Sequence, residues 1–483
     1  MRPHLHLLRA LALLLPLSAC TLSPQVADPR VTMPAAYQEA GTAMTSAWPM
    51  LSWWQAFGSV ELDRLMTQTQ AANLDIAAAI AQVQQAQAQL RIAGAPLYPA
   101  LSADGQASRQ RQNGSNRTTL GSSGVLVSQG GGAVTVTNYQ AALSASYELD
   151  FWGRNRAALN AARASELASQ YNKETVALTA LATTATTYFN ILALQDQLSF
   201  AAGNLKIAQD TLAVIEGRIR VGVADALALA NQRTIVAQQQ ATLAPLQLQV
   251  TQNRNVLAIL TGRTPEALQL QGGSLNDLAL PAVAPGLPSE LLTRRPDVQQ
   301  AEANLATQRA NIQAARAALF PSVSLTAQSG YQSRAFSDLF GPSGFFYSTA
   351  AGLTQPIFQG YALRGQVELE RGIYQELVAN YRKTVISAFT DVDNALSAIR
   401  RSSEQEREQQ AVIAAAAEAY DIAQAQLRVG IVDITDVLTA EANLFNARNT
   451  LAQIRLARLN AIVSLYQALG GGWSLPTHAT ESP

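Results

Sequence analysis

Residues 73–103 read NLDIAAAIAQVQQAQAQLRIAGAPLYPALSA, and residues 295–325 read RPDVQQAEANLATQRANIQAARAALFPSVSL. They align without gaps at an offset of 222: Asp75 meets Asp297, Leu97 meets Leu319, Tyr98 meets Phe320 and Pro99 meets Pro321. Further on, Arg220-Val221-Gly222-Val-Ala-Asp225 matches Arg428-Val429-Gly430-Ile-Val-Asp433 at an offset of 208, which still holds where Gly262 meets Gly470. The offset shrinks because the first copy holds extra residues, among them a Gly/Ser-rich run from Asn113 to Gly132. Solenoid repeats run to roughly 20–50 residues, so a period of about 200 marks a tandem duplication of one domain-sized unit. The expected organisation is a leader at 1–19, an N-terminal segment at 20–72, a first copy at 73–262 and a Pro/Gly-rich linker at 263–294. A second copy at 295–470 and a tail at 471–483 complete it.

Each copy reads helix, strand, strand, very long helix, tight turn, helix. In the first copy the strands are expected at about 100–110 and 138–151. In the second of these, Tyr139, Leu143, Tyr147 and Leu149 alternate with Gln140, Ser144, Ser146, Glu148 and Asp150. In the second copy they are expected at about 322–332 and 345–357. Strict alternation gives each strand one apolar and one polar face. Lengths of ten or more match the ~9–11 residues of a membrane-spanning strand, although a soluble sandwich also alternates. Glu148 and Asp150 are expected on the polar face, lining a lumen near one barrel end or forming a salt bridge at the strand–helix junction.

The long helices separate these readings. They are expected at about 154–218 and 361–428, each roughly 100 Å at about 1.5 Å per residue. Ile191, Leu194, Leu198, Ala201, Leu205, Ala208, Leu212 and Ile215 form one seam, and Leu178, Leu181, Ala185, Tyr188 and Leu192 a second. Two seams on one rod suit a wall with a neighbour on either side. Pro245 is expected to kink the helix over about 225–261. Four strands cannot close a barrel, for which about eight is the practical minimum. Identical copies must therefore complete it; two, three or four would supply the strands.

Composition excludes other classes. Of 483 residues 48% are hydrophobic, 14% are charged and the net charge is +0, which argues against a polyanion-binding protein. Beyond the N-terminus no uninterrupted apolar run approaches the ~18 residues of a spanning helix. His4, His6, His478 and Cys20 are the only imidazoles and thiol, and they lie near the two ends. Ser-His-Asp or Cys-His catalysis and His/Cys zinc sites are thereby excluded from the body of the chain. The acids lie scattered along helices with no compact pair, which disfavours a glycosidase-like enzyme.

The N-terminus reads as an address. Arg2 and Arg9 precede the apolar run from Ala10 to Leu17, and Ser18-Ala19 precede Cys20, as in a secretory signal. Leu17-Ser18-Ala19-Cys20 resembles a bacterial lipobox. This implies diacylglycerol and an N-acyl chain on Cys20 and, with Thr21 next, the outer membrane. A plain signal peptide with an incidental Cys is the alternative.

Trp53-Trp54-Gln-Ala-Phe57-Gly58, Leu291-Leu-Thr-Arg-Arg-Pro296-Asp297, Ala314-Ala-Arg-Ala-Ala-Leu-Phe320-Pro321, the lipobox and the paired Arg-Val-Gly turns together resemble the TolC-like outer-membrane efflux factors, specifically NodT-type lipoproteins of resistance–nodulation–division pumps. The resemblance covers nearly the whole chain. It implies an α+β fold in which a homotrimer shares one twelve-stranded β-barrel continued by a long α-helical periplasmic barrel. It also implies a periplasmic adaptor and an inner-membrane transporter as partners, outer-membrane lipid around the barrel, and neither cofactor nor nucleic acid. The adaptor is expected at Arg220, Val221, Gly222, Arg428, Val429 and Gly430. Asp436 matches a carboxylate ring that narrows the tunnel tip, with a solvated helix-start acid stabilised by the helix dipole as the alternative, whereas Thr439 stands where relatives often carry Asp. Asp433 is a candidate for the ring or for a simple helix cap. The expected activity is passive conduction of drugs or other small molecules. A duct of a type I protein secretion system and a lipid-anchored periplasmic spacer are the alternatives.

Overall fold

A computed structural model describes residue 37 and residues 50–112, 117–120, 126–129, 133–221, 226–283, 286 and 288–473. Cys20, Gly222 and Asp225 lie outside them. Eight helices occur among the described residues: α1 (Val60–Ala72), α2 (Leu74–Gly94), α3 (Arg154–Arg220), α4 (Ala226–Leu260), α5 (Pro288–Arg294), α6 (Pro296–Ala317), α7 (Ala362–Arg428) and α8 (Ile434–Ala468). The strands are β1 (Ala100–Gln112), β2 (Arg117–Leu120), β3 (Leu126–Gln129), β4 (Val134–Leu149), β5 (Ser322–Ser333) and β6 (Phe345–Thr354).

The chain divides into two compact units. The first holds Ala86–Glu166 and Asn304–Leu377 and contains the strands. Its antiparallel sheet has the order β1-β4-β5-β6, and β2 and β3 form a separate two-stranded ladder inside the Gly/Ser-rich insertion. β6 ends at Thr354, three residues before the expected 357, and Pro356, which has no N–H for a ladder, follows. β4 ends at Leu149, so Asp150 is not on a strand face.

The second unit includes Leu167–Ala303 and the chain from Val378 onward. α3 and α7 are each 67 residues long. In α3, Leu194, Ala201, Ala208 and Ile215 are buried at intervals of seven, the spacing of a coiled-coil seam. Leu181, Ala185, Tyr188, Phe189, Ile191 and Leu192 lie buried on more than one side, so both expected seams are in use. One stretch of α3 is long and apolar enough to cross a membrane by length and composition, and 61% of it is buried inside the chain. α4 continues through Pro245.

The largest core gathers around Trp53, Trp54 and Phe57, a turn of 3₁₀ helix ahead of α1. Trp53 stacks on Tyr466 at 4.9 Å and Phe57 meets Phe189 at 5.0 Å. The Trp pair thus clamps the end of α8 against α1 and α3. The stretch expected as a linker is firmly tied. Glu61, 8% exposed, accepts from the Gln271 and Gly272 amides, Asp196 accepts from Leu275 N, and Arg455 donates to the Leu275 and Leu278 carbonyls. Its last seven residues are helical, as α5.

The duplication is visible atom by atom. Asn73 Nδ2 donates to Leu260 O at the end of α4, and Arg295 Nη1 donates to Ala468 O at the end of α8. These donors are related by the 222 offset and their acceptors by the 208 offset.

Candidate channel wall

The four-stranded sheet sorts its side chains by register. Leu101, Ala145, Ala327 and Thr349 share one row, and Tyr147, Leu325 and Ala351 another, all on one face. Ser102, Ser144 and Gln328 share a row on the other face, with Asp104, Ser324 and Thr326 in rows beside it. The first face is apolar yet open: Leu101 is 74% exposed, Leu353 71% and Tyr347 76%. A soluble sheet covers such a face; lipid is the environment in which it is already satisfied.

Aromatic rings mark both ends of this band. At one end Tyr139 meets Phe336 at 5.6 Å, and Tyr331 meets Phe340 at 5.6 Å and Phe345 at 5.7 Å. At the other, Trp152 stacks on Phe320 at 4.8 Å and Phe358 meets Tyr361 at 5.9 Å. From Tyr331 to Val323 the strand covers roughly 26 Å at about 3.3 Å per residue, close to the ~25 Å apolar band of outer-membrane barrels. The polar face is mostly Ser, Thr and Gln. Its one acid in the middle of the sheet, Asp104, accepts from Ser102 Oγ at 3.3 Å and Ser144 Oγ at 3.2 Å. Sequence reasoning did not single it out; its place among the polar positions of β1 was the available signal. Among the described residues, β1 and β6 each keep one edge without a strand partner.

The two junction acids are engaged. Glu148 Oε2 pairs with Arg154 Nη2 at 3.0 Å. Asp150, expected on the polar strand face or in a salt bridge at the strand–helix junction, lies beyond the strand and caps α3: its carboxylate accepts from Asn155 N at 3.2 Å and Arg156 N at 2.8 Å and pairs with Arg156 Nε at 3.4 Å. A carboxylate at a helix N-terminus satisfies otherwise unpaired amides, and that outcompetes continuation of the strand.

In the helical unit, the second hairpin turn closes as its chemistry dictates. Gly430 adopts φ 76° just past α7, and its N–H donates to Leu427 O. Arg428 and Val429 are exposed beside it, as are Arg220 and Val221 at the end of α3. Asp433 and Asp436 form a reciprocal capping box: Asp433 accepts from Ile434 N and Asp436 Oδ2 accepts from Asp433 N at 3.2 Å. Asp433, Asp436 and Thr439 are all exposed, and Thr439 Oγ1 donates to Thr435 O. Among the described residues no group of three His, Cys, Asp or Glu side chains could hold a metal ion.

A sheet with one exposed apolar face and one polar face, its edge strands lacking a strand partner among the described residues, in a chain that also holds two 67-residue helices, defines one subunit of an oligomeric outer-membrane channel. The outer membrane efflux protein family matches residues 65–263 and 287–471, and the chain belongs to it. It is 38% identical over 457 residues to the pyoverdine export outer membrane protein OpmQ of Pseudomonas aeruginosa, covering 95% of each chain. It is 31% identical over 465 residues to the cation efflux system protein CusC of Escherichia coli, covering 95% of this chain and 97% of CusC. Among solved structures, the Campylobacter jejuni outer membrane channel CmeC superposes with a TM-score of 0.84 at 25% identity, covering 94% of this chain and 95% of CmeC. The protein is the outer-membrane channel component of a tripartite efflux pump, extending into the periplasm. It works as a trimer with a periplasmic adaptor and an inner-membrane transporter.

Proposed function

We propose that this chain is a passive, chemically inert duct gated at its helical tips. Asp436 narrows the periplasmic aperture, with Asp433 holding the helix start and Thr439 lining the next turn. Arg220, Val221 and Gly222, together with Arg428, Val429 and Gly430, dock the adaptor. Cys20 carries the lipid anchor, and Glu148 borders the lumen through its pair with Arg154. The single observation behind this reading is the makeup of the sheet's polar face: neutral hydroxyls and amides, with Asp104 hydrogen-bonded in its middle and Glu148 ion-paired at its end. Such a lining passes solutes by size and leaves the choice of cargo to the transporter. Asp436→Ala tests the gate in planar bilayers. The trimer and barrel stay intact and small-ion conductance rises; unchanged single-channel conductance removes Asp436 from the gate.

A further inference from the structure

The buried face of α8 begins Val437, Glu441, Leu444, Ala447, four residues at seam spacing of which one is a carboxylic acid. Glu441 is 8% exposed. Its Oε1 is sealed from solvent and has no hydrogen-bond partner among the described residues. Beside it lies a cavity of about 360 Å³ between α3, α4 and α8, lined by Asn204, Ala208, Ile235, Gln238 and Gln239 across from Glu441. None of those residues ionises. α7 contributes Tyr420, whose phenol is pushed up by burial first and by the Glu441 charge second; Asp421 and Arg448 also act on Tyr420. Among the described residues no cation stabilises the Glu441 carboxylate: burial alone pushes it from 4.5 up to about 7. A second buried acceptor, Gln232 Oε1 on α4, is also unpartnered, while its Nε2 donates to Ala208 O in the cavity wall.

A buried carboxyl oxygen without a donor requires a proton, a cation or exposure. A solute in the cavity does not reach Oε1, because that atom is closed to a water-sized probe. The proton is the ligand that fits. We propose that Glu441 is a proton-binding latch in the α8 seam: protonated, it packs against α3 and α4, and deprotonated, it drives that seam toward solvent.

The sign follows from linkage. The exposed form ionises near 4.5 and the packed form near 7, so packing is undiminished below 4.5 and weakens as pH rises through the interval. Above about 7 both forms are charged and the loss levels off. Between about pH 5 and about pH 8 the opening constant grows roughly seventyfold.

Hydrogen–deuterium exchange on the full-length trimer in detergent reads this directly, with rates corrected for the intrinsic pH dependence of amide exchange. Protection of peptides spanning 437–447 falls by one to two orders of magnitude from about pH 5 to about pH 8 and then plateaus. Glu441→Gln abolishes the fall and keeps acid-like protection throughout. Glu441→Leu, which fills the seam with an apolar group of similar size, does the same. Wild-type protection that ignores pH overturns the latch whatever the variants do, and so does a wild-type slope retained in either variant.

Discussion

Gly470→Ala strikes a contact that the duplication has built twice. Gly470 has φ 91°, and a Cβ there would lie 2.3 Å from Arg294 O and 3.0 Å from Arg294 C. Its counterpart Gly262 has φ 64°, with a Cβ 2.2 Å from Ala72 O. In both copies a long helix ends against the last carbonyl of a short one, and only a hydrogen fits between them. Two costs add for Gly470→Ala: about 1–2 kcal/mol for a left-handed non-glycine residue, and about 1–3 kcal/mol for overpacking against backbone. The backbone cannot retreat easily, since Arg295 is held by Asp297, Asp391 and Ala468 O. Gly430→Ala is the matched control: φ is 76° and nothing lies within 4 Å, so only the first cost applies. The readout is the thermal midpoint of the trimer-to-monomer transition in detergent, followed by gel mobility and circular dichroism. Gly470→Ala melts well below Gly430→Ala, which melts slightly below wild type. Equal midpoints for the two variants refute the steric reasoning.

Two further outcomes follow from the same junctions. Arg295→Ala removes a guanidinium that donates to two carboxylates and a helix-end carbonyl; with Asp391 partly solvated, the cost is about 2–4 kcal/mol, against about 1–2 kcal/mol for Asn73→Ala, and comparative melting checks the order. Asp436→Ala loses half of a capping box and lowers stability by only about 0.5–1 kcal/mol, so a large drop in trimer melting temperature contradicts the exposed, locally bonded carboxylate seen at the start of α8.

The parts legible in sequence are those where two solvents face one element. β4 alternates because lipid and water lie on opposite sides of it, and Leu194, Ala201, Ala208 and Ile215 repeat because one stripe of α3 is covered. Asp150 misled for a related reason. As the fifth polar residue in an alternating run it extends the strand pattern, while its carboxylate belongs to the amides of the following helix. The β2–β3 ladder was hidden because four-residue strands in a Gly/Ser-rich stretch leave no period to detect. Residues 288–294 read as linker because a seven-residue helix flanked by prolines carries almost no periodicity. Trp53 and Trp54 were read only through family resemblance; nothing local says that they would meet Tyr466, some four hundred positions away. Glu441 lay between Ala440 and Ala442, and only its spacing from Val437 and Leu444 hinted at burial.

The duplication also dictates how the sheet closes between copies. β1 and β5 correspond at an offset of 222, and β4 and β6 at 208, because the pair Ala100–Ser146 maps onto Ser322–Thr354. Within one chain, the second strand of the first repeat pairs with the first strand of the second repeat, with Leu143 opposite Ser329. The same relation carried forward joins β6 to β1 of a neighbouring copy and sets Ala351 opposite Ala107. Both residues belong to the apolar face, so the register keeps lipid-facing side chains together; a slip of one residue would turn a whole strand inside out. Cysteine pairs test it, since a disulfide needs Cβ atoms about 3.5–4.5 Å apart and the next same-face position along a strand is roughly 7 Å away. Ala351→Cys combined with Ala107→Cys yields covalently linked subunits on non-reducing gels. Ala351→Cys combined with Ala103→Cys or Arg109→Cys yields little. Efficient linkage through either of those pairs in place of Ala107 would show that the closing strands do not inherit the register of the internal ones.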